Sequence, residues 1–159
     1  MAFYTHGGVG WTPVAHSDGG SALANNSYHA IRTTTASSLR IVRIFIGGEA
    51  TSSTVNRMAL RRLSTNATTP TNQTPAARLP LSAASVSQGY VAASTGPTIA
   101  STQHQGNFAF NAFGGQVNWM AYPNEEIWCT AGTAPNGEIC LDSISGVGIV
   151  SSDIVFEEV

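Results

Sequence analysis

The two strongest apolar runs of the chain lie between Leu39 and Ser64, on either side of the connection Gly47-Gly48-Glu49-Ala50-Thr51-Ser52-Ser53-Thr54. In the first run strict alternation puts Val42, Ile44 and Ile46 on one face and Leu39, Ile41, Arg43 and Phe45 on the other. Both faces are largely apolar, which predicts a strand interior to a sheet or sandwich. In the second run Met58 and Leu60 share one face, and Val55, Ala59 and Leu63 share the other. Arg57, Arg61 and Arg62 sit on or beside this strand.

Similar short patterns fill the rest of the chain. Ser27 to Thr35 is a strand candidate. Asn107 to Phe113 alternates with Phe108 and Phe110 on one side, and Gln116 to Tyr122 alternates with Val117, Trp119 and Ala121 on one face; Gly114-Gly115 between them predicts a hairpin. Glu126 to Thr130 follows the Pro123-Asn124 turn, and Asn136-Gly137 is a favoured hairpin turn leading into Glu138 to Leu141. Val147 to Val150 and Asp153 to Glu157 close the series. About eight or nine strands from Ser27 onward, without an amphipathic helix, predict an all-β fold. The expected architecture is a single antiparallel β-sandwich, jelly-roll-like, over residues 27–159.

Two stretches break the pattern. Residues 1–26 combine glycines with Phe3, Tyr4 and Trp11, a mixture that disfavours helix and predicts an extended N-terminal arm. It either caps its own domain as a terminal strand or lies on a neighbouring subunit. Residues 65–106 are rich in Ser, Thr, Ala, Asn, Gln and Pro. Leu79-Pro80-Leu81, Val86, Tyr90 and Val91 anchor them as an ordered excursion, and loops of this length tend to be functional.

Composition changes the picture in one respect. Charged residues are 10% of the chain and all seven basic residues are Arg, against roughly 25% charged in an ordinary soluble protein. A surface so short of charge offers little self-repulsion, which suits association with copies of itself or with a larger assembly. The net charge of −2 gives no electrostatic case for nucleic acid or an anionic membrane. The first twenty residues lack the pattern of a secretory signal, and no apolar run is long enough to span a bilayer, so synthesis in a cytoplasm is expected.

Candidate chemistry is sparse. His6, His16, His29 and His104 never fall at a spacing that places two imidazoles on one metal, so neither metal nor cofactor is expected. Glu125 and Glu126 point to opposite faces of a strand and do not form an acid/base pair. Arg61 and Arg62 also diverge, so one guanidinium must face the interior and find a carboxylate or several carbonyl oxygens. Glu157 or Glu158, on the expected last strand, is the preferred partner for a structural ion pair; two exposed arginines at a strand end are the alternative. Cys129 and Cys140 are expected as two free, buried thiols.

One resemblance extends these readings. Ile41 to Gly48, Ala50 to Thr54, Asn56 with Leu60 to Arg62, Thr65 with Thr68 and Thr69, Thr74-Pro75, and Leu79 to Ala84 stand in an order that resembles small β-rich proteins of tailed bacteriophages and prophages. Val117 to Ala121, Pro123 to Ile127, Asn136-Gly137 and Phe156-Glu157 continue it, so the likeness spans residues 39–159. Leu81-Ser82-Ala83 stands where that family usually has Leu-Asp-Pro, and Asn118 where an Arg is common. The resemblance implies a jelly-roll capsid decoration, or cement, protein: a non-enzymatic homotrimer on the virion surface, made in the bacterial host, whose partner is the major capsid protein. Phe3, Tyr4, Trp11, Leu79, Leu81 and Tyr90 are the expected contact residues. A carbohydrate- or receptor-binding module of a phage head or tail fibre, with Trp119, Trp128 or Tyr122 as a stacking platform, is the alternative.

Overall fold

The computed structural model describes residues 2–16, 22–132 and 137–159, with the backbone alone at 101–103. Thirteen strands form, and no helix among the described residues. In chain order they are β1 (Ala2–Trp11), β2 (His29–Arg32), β3 (Leu39–Glu49), β4 (Val55–Thr65), β5 (Thr68–Pro70), β6 (Ala76–Ala77) and β7 (Gln88–Tyr90). There follow β8 (Ala93–Thr95), β9 (Thr98–Asn111), β10 (Phe113–Met120), β11 (Ile127–Cys129), β12 (Glu138–Ser145) and β13 (Val150–Glu158).

Two antiparallel sheets pack face to face. One has the order β10-β3-β13-β1-β6, with β11 continuing along the β10 side of β3; the other has the order β7-β2-β12-β4-β9. Set aside the five short strands and the chain folds back on itself in nested pairs: β1 lies beside β13, β2 beside β12, β3 beside β10 and β4 beside β9. Nested pairing of this kind, shared between two sheets, is a jelly roll.

The β3 pattern is resolved by a bulge. Val155 of β13 faces Arg43 while its neighbour Phe156 faces Ile41, so Val42 is the extra residue on β3. The extra residue reverses the alternation, and Leu39, Ile41, Ile44 and Ile46 all reach the same inter-sheet core. Strict alternation had divided them between two faces. On β4, Met58 and Leu60 enter that core as expected, together with Ile31, Ile139, Leu141, Ile154 and Phe156.

The second apolar face of β4 is also covered. Leu63 joins Leu23, Tyr28, Ala30, Tyr90, Ala93, Ile99 and Cys140 in a second core on the outer face of the β2-β12-β4 sheet. The excursion is what covers it: its short strands β5 and β8 pair with each other, and β7 pairs with β2. Its last residues, from Thr98, already belong to β9.

Two local expectations are corrected. Asn107–Phe113 and Gln116–Tyr122 are not a hairpin, because β9 and β10 lie in opposite sheets and Ala112 turns the corner between them. Likewise β11 belongs to one sheet and β12 to the other, so the strands flanking Asn136-Gly137 are not hydrogen-bonded partners; Asn136 itself lies outside the described residues. Of the two readings of the Gly-rich N-terminal stretch, the structure takes the first: it is extended and caps its own domain as a terminal strand, with β1 paired from Ala2 opposite Glu158 to Trp11 opposite Val150.

Candidate interaction surface and buried polar network

Strand parity decides where the expected contact residues go. Tyr4 and Trp11 project from β1 into the inter-sheet core, and Tyr90 is fully buried in the second core with its ring edge-on to Tyr28. These three are therefore packing residues. Phe3, on the other face of β1, is partly exposed, and Leu79 and Leu81 stand on a turn of the excursion, Leu81 with its whole side chain in solvent.

The ion pairs form, with other partners. Arg61 and Arg62 diverge as predicted. Arg61 faces the outer side of its sheet, where it is fully buried and grips the carboxylate of Asp142 with two nitrogens, Nε at 2.8 Å from Oδ1. Arg62 lies on the inner face and donates to the carbonyl of Trp128 in the opposite sheet. Glu157 pairs instead with Arg40, its cross-strand neighbour, and Arg40 also stands over the Trp128 ring at 5.9 Å. Glu158 accepts from Ser85 and from the backbone N–H of Ser87, fastening the excursion to β13. The C-terminal carboxylates could not reach Arg61 because β13 and β4 belong to different sheets.

A further pair, Arg32 and Glu138, sits in register across β2 and β12 at 2.8 Å. Burial pushes the Glu138 carboxyl up to about 7, against the pull of Arg32 in the other direction. The sequence did carry a signal for these acids. In Glu138-Ile139-Cys140-Leu141-Asp142 the two carboxylates share a face, opposite Ile139 and Leu141, and a strand face that must be covered calls for two cations.

The feature invisible in the sequence is a hydrogen-bonded chain between the sheets. Gln73 Oε1 lies 3.1 Å from His6 Nε2, His6 Nδ1 lies 2.7 Å from His29 Nε2, and His29 Nδ1 lies 2.7 Å from Ser152 Oγ. Trp11 Nε1 donates to the same Oγ at 3.0 Å. With Gln73 presenting its oxygen, His6 Nε2–H donates to Gln73, His29 Nε2–H donates to His6 Nδ1, and Ser152 O–H donates to His29 Nδ1. Every nitrogen is then satisfied with both rings neutral. Burial lowers the pKa of both, His29 the more strongly because it is completely enclosed and, secondarily, because His6 is beside it; Gln73 and Asp153 partly restore that of His6. Ser152 and His29 stand at the distance of a nucleophile and its base, yet the hydroxyl is closed to solvent and committed to Trp11 and His29. The arrangement is structural.

Gly89 makes room for it. A Cβ there would stand 2.2 Å from the His6 ring. Gly89→Ala must displace the imidazole and part the chain, an overpacking defect expected to cost about 1–3 kcal/mol. A fall in the urea midpoint without a change in slope checks it; an unchanged midpoint contradicts it.

On the exterior an open groove of about 560 Å³ runs along the end of β10, lined by Asn118, Trp119, Met120, Ala121, Tyr122 and Glu125. Trp119 is half-buried against the core and Tyr122 is exposed. Among the described residues no group of three or more His, Cys, Asp or Glu side chains is placed to hold a metal ion. Cys129 and Cys140 are both buried and unbridged. Comparison with protein-family models, with curated proteins and with solved structures finds no match for this chain.

Proposed function

We propose that this chain is a non-enzymatic structural protein of a phage virion, a jelly roll that binds the outer surface of the capsid as a trimer and stabilises contacts between major capsid subunits. The observation that carries the reading is where the apolar side chains are left uncovered. Leu79, Leu81 and Val86 stand out on the excursion with Phe3 exposed on β1, while Phe113 and Met120 stand out on β10. A chain this poor in charge has few means of keeping such a surface solvated, so covering it in an assembly is favoured. The resemblance described above supplies the partner. The buried cores leave the excursion anchored at Glu158 and β7, rigid enough to act as a clamp rather than a tether.

Light scattering on the purified protein, followed by co-sedimentation with heads prepared without it, tests the proposal. Three chain masses and co-sedimentation that weakens in Leu81→Asp are the expected results. A monomer that stays in the supernatant when the heads are pelleted overturns it.

The groove favours a second reading, a carbohydrate-binding surface in which Tyr122 and Trp119 stack on a sugar face while Asn118 and Glu125 meet its hydroxyls. Trp128 is unsuited to that role because Arg40 occupies its ring. Saturable glycan binding lost in Tyr122→Ala would favour this reading over the first.

A further inference from the structure

The two sides of the sandwich end very differently. On one side the edge strands are β6 and β7, two and three residues long, and β6 is flanked by Pro75 and Arg78. Short edges with a proline and a charge nearby are the usual means by which sheets avoid pairing with other chains. On the other side the edges are β9 and β10, fourteen and eight residues long. Within their sheets β9 pairs with β4 and β10 with β3, and apart from a bridge from Ala22 to Thr98 no described strand covers their outer edges. From Thr98 to Met120 the chain carries none of its seven basic and nine acidic residues and no proline. The core is open on this side too, for Phe108, Val117 and Trp119 pack against it while only partly covered.

The two edges also differ from each other in the way a ring requires. β9 runs toward the end of the sandwich marked by Val55 of β4, and β10 leaves from the same end, opposite Glu49 of β3. They therefore run in opposite senses in different layers. A rotation axis parallel to the strands keeps each sense, so β10 of one copy meets β9 of the next as an antiparallel pair. Such a contact joins two different edges and closes into a ring about a three-fold axis; a two-fold axis parallel to the strands would make the same β9–β10 pair twice, so the solution mass decides between the two.

Resting on the trimer reading above, we infer that the β9 and β10 edges are the subunit interface, each copy's β10 adding to the sheet edge of its neighbour's β9. The partner is a second copy of this chain, because both edges are uncharged and each presents an open row of N–H and C=O groups with which the other can pair. The apolar strip of Phe108, Val117 and Trp119 is sealed in the same step.

A charge exchange tests this. Asn107 on β9 and Gln116 on β10 are both exposed, on the outer faces of their sheets, so both side chains lie on the same side of the joint. Gln116→Lys and Gln116→Glu/Asn107→Glu should each weaken the trimer, the second raising the concentration needed for assembly by about tenfold or more because like charges face each other. Gln116→Lys/Asn107→Glu should restore it, since opposite charges then meet across the ring. Circular dichroism on each variant separates lost assembly from lost folding, and slow amide exchange along β9 and β10 in the assembled wild type gives a second readout. A wild-type trimer that survives the like-charge variant, or that exchanges rapidly at these edges, overturns the interface and leaves the capsid reading standing. A wild type that is monomeric at every concentration overturns both.

Discussion

Acidification from pH 6.5 to pH 5 should lower the stability of the fold, with the loss originating at His6 and His29. The sign follows from which state holds the protons. Both folded pKa values are lowered from 6.5, so below that pH the unfolded chain takes up protons that the folded chain refuses. The contribution of the pair is fully present above pH 6.5 and drains as pH falls. Two protons give a limiting slope of about 2.7 kcal/mol per pH unit. Glu138 works in the opposite direction. Its folded pKa is raised from 4.5 to about 7, so its contribution is fully present below 4.5 and is lost as pH rises through 7, with a limiting slope of about 1.4 kcal/mol per unit. Burial also raises the Asp142 carboxyl, which opposes the histidines in the same sense as Glu138; with His29 fully enclosed the histidines win, and a net loss of stability is expected over that interval. Urea titrations at pH 6.5 and 5 measure it. Glu138→Gln removes one of the opposing protons and should steepen the acid loss, whereas His6→Gln/His29→Gln should remove it. Stability that stays level or rises on acidification in the wild type would contradict the assignment of two neutral, buried imidazoles.

Removing Asp142 should be among the most damaging single changes in the chain. Arg61 and Asp142 are both fully buried, and Arg61 also donates to the carbonyl of His16 at 3.3 Å. Asp142→Ala leaves a guanidinium in an interior where its formal counter-charge is gone, a situation that costs about 3–5 kcal/mol. The pair itself need not be stabilising, since bringing both ions out of water offsets much of their attraction. Replacing both partners, as in Arg61→Met/Asp142→Leu, should therefore recover most of the loss and could exceed the wild type. The three urea midpoints decide the matter. A double variant as unstable as Asp142→Ala would show that the ions are required for more than each other's neutralisation.

Period-two alternation was enough to read the class of fold and several core faces. Met58 with Leu60, and the strand character of β3, β4, β9 and β10, follow from spacing alone. What alternation lacks is a label for the sheet to which each strand belongs. It made a hairpin of β9 and β10, and it matched the Arg61–Arg62 pair with Glu157 or Glu158, residues of the opposite sheet, where Glu157 has Arg40 as its cross-strand neighbour. The β3 bulge was hidden for a related reason, because an extra residue is recognised only against the partner strand's count. Tyr4, Trp11 and Tyr90 looked like surface contacts because glycine-rich or Ser/Thr-rich surroundings mask the faces on which they sit. Their burial depends on β13 and β2, far away in the chain. The His6–His29 contact is more remote still, for two strands of different sheets must close on each other before either ring acquires its neighbour.

The pairing of β1 with β13 governs how the molecule bears load. Ala2 lies directly opposite Glu158, so tension applied to the two ends pulls across the ladder and parts its hydrogen bonds one after another from the open end. A sandwich held by its ends is in its weakest mechanical orientation. Force entering sideways through β9 and β10 is different, because it is shared along whole strands and many bonds must yield together. A protein of this shape resists stretching best when it is gripped by its flank and its ends hang free.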